Sequence, residues 1–158
     1  IKISREKVPV PEPVNIFELL VDLCATDDNY QKISIINENQ NCIWESNYVY
    51  VKIIFENLIK NSLEAYKRNK ISLPEPPLVI EINNHLKEIR VIDQAGGIPE
   101  DLIRNNKLFE PYTSEKSIEI NTGMGLSLVK KACELIRLDI SFEVKDKSTT
   151  FTIKESKE

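Results

Sequence analysis

The stretch from Tyr48 to Tyr66 contains neither proline nor glycine, and its apolar residues recur at helical spacing. It predicts a long amphipathic helix, and a domain built on it must bury one side of that helix. At about 100° per residue, Val51, Ile54, Phe55, Leu58, Ser62 and Ala65 form a core-facing stripe, while Glu56, Lys60 and Lys67 fall on a solvated side. Between them runs a third stripe, Asn57, Asn61, Glu64 and Arg68, spaced four, three and four and so stacked turn upon turn.

The flanking pattern is mixed. Phe17 to Cys24 has helical spacing, and Lys32 to Asn37 alternates like a strand. Ser72-Leu73-Pro74-Glu75-Pro76-Pro77 ends the long helix, because proline lacks the amide donor and clashes with the preceding turn. Leu78–Asn83 and Glu88–Asp93 alternate and are joined around Asn83-Asn84-His85 as a hairpin. Asp101 to Thr122 reads as irregular and polar. A helix over Gly125–Ile136 and strands near Ile140–Val144 and Thr149–Ile153 complete the chain. Helices and strands without a βαβ rhythm predict an α+β fold, a two-layer sandwich with helices on one face of a mixed sheet.

Length and charge narrow the possibilities. A chain of 158 residues fits one domain, with Pro11-Glu12-Pro13 read as a linker at its start. A net charge of −4, with acids and lysines interspersed, gives no electrostatic reason to expect nucleic acid or an anionic membrane surface. Any anion must be bound locally. Cys24, Cys42 and Cys133 are odd in number and lack CxxC spacing, which argues against a disulfide framework or zinc site and fits a reducing cytoplasm. No apolar run approaches the roughly 20 residues of a membrane span. The chain opens at Ile1 and is read as a segment of a longer protein, whose membrane anchor, if any, lies elsewhere.

Three places carry candidate chemistry. Asparagine is a poor helix former, so Asn57 and Asn61 in mid-helix need a reason. Either they are solvated amides, or an amide oxygen supplies one ligand to Mg²⁺, a hard ion that takes its other ligands from water and nucleotide phosphates. Asp93 shares a strand face with Ile89 and Val91, so its carboxylate reaches the edge of the apolar side and needs a donor partner. An adenine amino group meets that need, and the glycines of Gln94-Ala95-Gly96-Gly97-Ile98-Pro99 leave room for a flat ligand; the bland alternative is an ordinary turn. Asn121-Thr122-Gly123-Met124-Gly125 precedes Leu126, Val129, Ala132, Cys133 and Ile136, and free N–H groups at such a helix start bind phosphate without net basic charge. Again a plain turn before a helix is the alternative. Pro111 to Thr122 reads as a lid, Lys116 either as a group that reaches the phosphates from it or as a solvated loop lysine, and His85 as a surface residue.

In order and spacing these motifs resemble the ATP-binding catalytic domain of histidine kinases, in the superfamily that also holds gyrase, heat-shock chaperone and mismatch-repair ATPases. Phe55 to Ala65 looks like the N box, Asp93 to Ile98 the first glycine box, Leu108-Phe109-Glu110-Pro111-Tyr112 the F box, and Thr122 to Val129 the second glycine box. Ser148 to Ile153 resembles the last strand. Leu63-Glu64-Ala65-Tyr66 and Glu110-Pro111-Tyr112 lean toward nitrogen-regulation-type sensors.

The resemblance implies a Bergerat-type fold over residues 15–158, with 1–14 a lead-in strand or linker from an upstream dimerisation domain. It implies that Asn61 binds Mg²⁺, Asn57 positions phosphates and Asp93 receives the adenine amine, with Lys116 completing the catalytic set. Tyr66, Lys67, Arg68, Gly97, Ile98, Thr122, Gly123, Met124, Gly125, Leu126 and Thr149, or its neighbour Thr150, would line the nucleotide. The implied activity is transfer of the ATP γ-phosphate to a histidine on that dimerisation domain, with a response regulator as the next partner. This domain would touch neither nucleic acid nor membrane, would act in the cytoplasm, and would be a homodimer only in the full-length protein.

Three residues depart from the pattern: Ala95 replaces a glycine of D-x-G-x-G, Asn121 the first glycine of the second box, and Glu115 a usual threonine. Three other functions compete with the kinase: an ATPase of the gyrase or mismatch-repair type, a stand-alone serine kinase of the anti-sigma type, and a degenerate nucleotide-binding scaffold. In those ATPases a glutamate four residues before the magnesium asparagine activates water; Asn57 stands there and cannot act as a general base. A stand-alone serine kinase of the anti-sigma type fits less well than Phe109-Glu110-Pro111-Tyr112 and Gly123-Met124-Gly125-Leu126 fit a histidine kinase.

Overall fold

A computed structural model of the chain describes residues 8–37, 42–104, 108–109 and 123–156. Strand β1 (Glu12–Asn15) leads into helix α1 (Ile16–Cys24), followed by β2 (Ser34–Asn37), β3 (Ile43–Ser46) and the long helix α2 (Tyr48–Arg68). Then come β4 (Leu78–Asn83), β5 (Glu88–Asp93), α3 (Glu100–Arg104), α4 (Gly123–Leu135), β6 (Leu138–Lys145) and β7 (Ser148–Glu155). Five strands form a mixed sheet in the order β2-β4-β5-β7-β6, parallel only between β2 and β4. The fold is α+β, as expected.

The period-2 alternation of the hairpin and last strands buries one face of this sheet. Across it, Ile82, Ile89, Ile153 and Ile140 form one row, and Ile80, Val91, Phe151 and Phe142 the next. Val79, Glu81, Arg90 and Thr152 alternate with them and are partly or fully exposed. Over the buried rows lie the apolar sides of α1, α2 and α4, in one core with Leu19, Leu20, Ile54, Leu58, Val129 and Cys133. The three cysteines are buried thiols. Burial pushes the Cys24 thiol up to about 11, which suits a core residue and not a nucleophile.

Local chemistry explains the ends of the helices. Asn15 caps α1 by accepting the Glu18 N–H at 3.1 Å, and Asn47 caps α2 by accepting that of Tyr50 at 3.1 Å. Glu12 in β1 accepts the Tyr48 N–H at 3.1 Å, which ties the start of α2 to a strand far away in sequence.

At two places the structure adds to expectation. Glu12–Asn15, at the end of the stretch expected as a lead-in strand or linker, pairs antiparallel with Ile43–Ser46 in a two-stranded ribbon of its own. Its strands are short, contain Pro13 and pair far apart in sequence, so no local period announces them. Glu100–Arg104, expected to be irregular, is a helix of one turn. Pro99 precedes it and accepts the Leu102 N–H at 3.1 Å, Glu100 and Asp101 favour its N-terminal end, and Leu102 is buried. Five residues are too few to display a helical period.

Candidate nucleotide site

Helix α2 presents the three stripes in the expected way. Val51, Ile54, Phe55, Leu58, Ser62 and Ala65 are buried, and Glu56, Lys60 and Lys67 are exposed. Asn57, Asn61, Glu64 and Arg68 lie half-buried on the border between the two. The two asparagines are held differently. Asn57 Nδ2 donates to Ile53 O at 2.7 Å, which fixes the amide on its own helix. Its Oδ1 faces α4 at Gly125, where a β-carbon would sit 3.4 Å away. Asn61 Oδ1, by contrast, is buried and has no hydrogen-bond partner among the described residues.

Facing this stripe, Asp93 ends β5 in the row Leu78, Asp93, Thr149, Val144. It is only 4% exposed, and its carboxylate accepts the Ala95 N–H at 3.0 Å. Burial raises its pKa above the ordinary carboxylate range; the Ala95 N–H, the neighbouring Ser62 hydroxyl, the Arg68 charge and the Thr149 N–H pull the other way without cancelling it. Ser62 Oγ makes no well-aligned hydrogen bond with any described group. Arg68 Nη1 is likewise buried with no hydrogen-bond partner among the described residues. A buried carboxylate, a bare amide oxygen and an unsatisfied guanidinium nitrogen together are costly unless something else completes them.

These groups meet in one pocket lined by Asn61, Arg68, Asp93, Gly97, Ile98, Leu126 and Thr149. Ala65, Pro99, Leu102, Leu108 and Phe151 supply further apolar walls. Gly96 and Gly97 both take positive φ, 97° and 86°, and of the two Gly97 lines the pocket. Ala95 does not take positive φ, and its methyl is buried against Ala65 and Tyr66, so alanine costs nothing at that point of the D-x-G-x-G pattern.

Of the residues proposed from sequence, seven therefore line the cavity, and Asn57 and Gly125 adjoin each other between α2 and α4. Gly123 and Met124 form the start of α4. Thr150, one residue on from Thr149, has the opposite strand parity. Tyr66 and Lys67 are placed elsewhere. Tyr66 is buried, with its hydroxyl donating to Pro77 O at 2.6 Å and accepting the Gln94 N–H at 2.8 Å. Lys67 lies with Lys60 on the opposite flank of α2, because one residue rotates the helix by about 100°. Lys116 and Thr122, with the departures Asn121 and Glu115, lie outside the described residues. His85 is exposed in the β4–β5 turn.

Sequence reasoning passed over Leu102, Phe151 and Asn69. For Ser62 a signal existed: it is the one hydroxyl in an otherwise apolar stripe.

The chain belongs to the histidine kinase-, DNA gyrase B- and HSP90-like ATPase family, whose model matches residues 47–157. It is thus a nucleotide-binding domain of the histidine-kinase catalytic fold. It is similar to sensor protein VanSC of Enterococcus gallinarum, at 29% identity over 143 residues, which is 87% of this chain and 36% of that relative's length. The catalytic domain of histidine kinase ThkA matches in fold with a TM-score of 0.69 at 20% identity, over 93% of this chain and 97% of that one. The ATP-binding domain of PrrB from Mycobacterium tuberculosis matches with a TM-score of 0.66 at 19% identity, over 94% and 98%. No helix among the described residues is long and apolar enough to cross a membrane.

Proposed function

We propose that this chain is the ATP-binding catalytic domain of a sensor histidine kinase, working in the cytoplasm and passing the γ-phosphate of ATP to a histidine on its own dimerisation domain. The observation that carries this reading is the buried Asp93 carboxylate sharing one pocket with an Asn61 Oδ1 that has no hydrogen-bond partner among the described residues. Asp93 needs a donor, and the exocyclic amine of adenine is one; Thr149, its partner in β7, borders the same face. Ile98, Leu102, Leu126 and Phe151 offer apolar surface to the base. A cognate response regulator would then receive the phosphate.

Asn61 also suits a metal, because a bare amide oxygen is a hard neutral ligand. When bound there with the nucleotide, Mg²⁺ would neutralise phosphate charge. Asn57, with Nδ2 fixed to Ile53 O, holds its Oδ1 at the α2–α4 boundary, and the N–H groups at the start of α4 suit phosphate oxygens. This chain's contribution to catalysis is positioning and charge balance. Asn57 has no basic group with which to activate water, so hydrolysis of the gyrase or mismatch-repair kind lacks its base. Titration with Mg·ATP, followed by phosphotransfer to the protein's acceptor-histidine domain, tests the proposal. A folded domain that binds no ATP would sink it.

A further inference from the structure

Tyr66 and Asn69 stand one turn apart at the C-terminal end of α2, on its side facing the loop after Asp93. Neither lines the cavity, yet each grips a peptide group just beyond that carboxylate. The Tyr66 hydroxyl accepts the Gln94 N–H at 2.8 Å while donating to Pro77 O, just before β4, at 2.6 Å. Asn69 Nδ2 donates to Ala95 O at 2.5 Å. The Ala95 N–H, on the other side of the same residue, donates to Asp93 Oδ1 at 3.0 Å. From the opposite direction the β6–β7 turn and the start of β7 hold the loop: the Gly96 N–H donates to Lys147 O at 3.0 Å, and Ser148 Oγ donates to Asp93 O at 2.9 Å. Gly96 is needed for this grip, since a β-carbon there would come within 2.9 Å of Asn69 Nδ2.

We infer that Tyr66 and Asn69 are positioning residues for base recognition: by fixing the Gln94 and Ala95 peptides they aim the Asp93 carboxylate at the amine edge of the purine. This inference rests on the proposed nucleotide function. The carboxylate discriminates only where it presents a free lone pair to a donor. Inosine carries a carbonyl oxygen where adenine carries the amine, so the discrimination appears as a preference for ATP over ITP. If the Gln94 and Ala95 peptides are released, the Ala95 N–H no longer fixes the carboxylate, and the preference weakens while contacts to ribose and phosphates remain.

The experiment is calorimetric titration of the parent, Tyr66→Phe and Asn69→Ala with ATP and with ITP, beside thermal melts. Each variant should lose about tenfold in ATP affinity, the worth of one well-formed hydrogen bond, with ITP affinity nearly unchanged. The ATP-to-ITP ratio should shrink by the same factor. Equal losses for both nucleotides, or an unchanged ratio, would overturn the positioning role and leave Tyr66 and Asn69 as supports of the fold. A parent that binds ATP no better than ITP would instead overturn the assignment of Asp93 to adenine. Asn69 is exposed at the helix end, so Asn69→Ala decides the matter if Tyr66→Phe fails to fold.

Discussion

Asp93 and Thr149 stand directly opposite each other in the β5–β7 register, as the polar centre of a row flanked by Leu78 and Val144. The two neighbouring rows are wholly apolar. The sheet therefore changes character at one end, where α2 brings Asn61 and Arg68 above it. Charge is placed there at a cost to the fold.

Asp93→Asn is expected to lower ATP affinity by roughly 10–100-fold, because the substituted amide turns a donor toward the adenine amine; a hydrogen bond to a charged group is worth about 1.5–3 kcal/mol. The fold should not suffer. Because burial raises the folded pKa of Asp93, its contribution to stability is present below the unfolded value and is lost as pH rises through the folded one. The difference in melting temperature, variant minus parent without nucleotide, should thus grow as pH rises through that window and then level off. Melts across acid to neutral pH check this. A variant that loses stability at neutral pH would show that the carboxylate supports the fold.

Asn61→Ala should weaken nucleotide binding strongly with Mg²⁺ and little with chelator, since its buried Oδ1 has no partner among the described residues to lose. Asn57→Ala should have a milder effect, because one end of its amide is already occupied by Ile53 O. Paired titrations with Mg²⁺ and with EDTA separate the two. Parent-like Mg·ATP binding by both variants would reduce the stripe to structure.

Much of this was legible in the sequence for a physical reason: the informative elements are locally periodic. The hairpin strands Leu78–Asn83 and Glu88–Asp93 have the boundaries expected, and the three stripes of α2 are buried, half-buried and exposed as their spacing requires. What was not legible depends on pairing across the chain. Glu12–Asn15 becomes a strand only because Ile43–Ser46 lies beside it. The approach of Asn57 Oδ1 to Gly125 of α4, and the place of Tyr66 against Pro77 and Gln94, depend on partners that no spacing rule within α2 reveals.

Gly125→Ala probes the α2–α4 contact. Its β-carbon would lie 3.4 Å from Asn57 Oδ1, a distance the fold tolerates, and alanine gains up to about 1 kcal/mol over glycine inside a helix. The melting temperature should hold or rise. Nucleotide affinity should fall a few-fold with both ATP and ITP, because the methyl covers an amide on the phosphate side and not the base. Loss of ATP binding alone would contradict that placement.

The final prediction concerns activity. The domain alone should bind Mg·ATP yet neither phosphorylate itself nor hydrolyse ATP appreciably, and adding its acceptor-histidine domain in trans should restore transfer. Its one histidine, His85, is exposed in the β4–β5 turn, at the far end of β5 from Asp93, so it cannot serve as the acceptor for a phosphate held near α4. Without an aligned nucleophile the bound γ-phosphate lacks the proximity contribution of roughly 7–11 kcal/mol, and with Asn57 in place of a base, water is not activated to take its part. Incubation with γ-labelled ATP, with and without the acceptor domain, followed by acid treatment that releases phosphohistidine label, measures both reactions. Rapid phosphate release by the domain alone would favour the ATPase reading over the kinase.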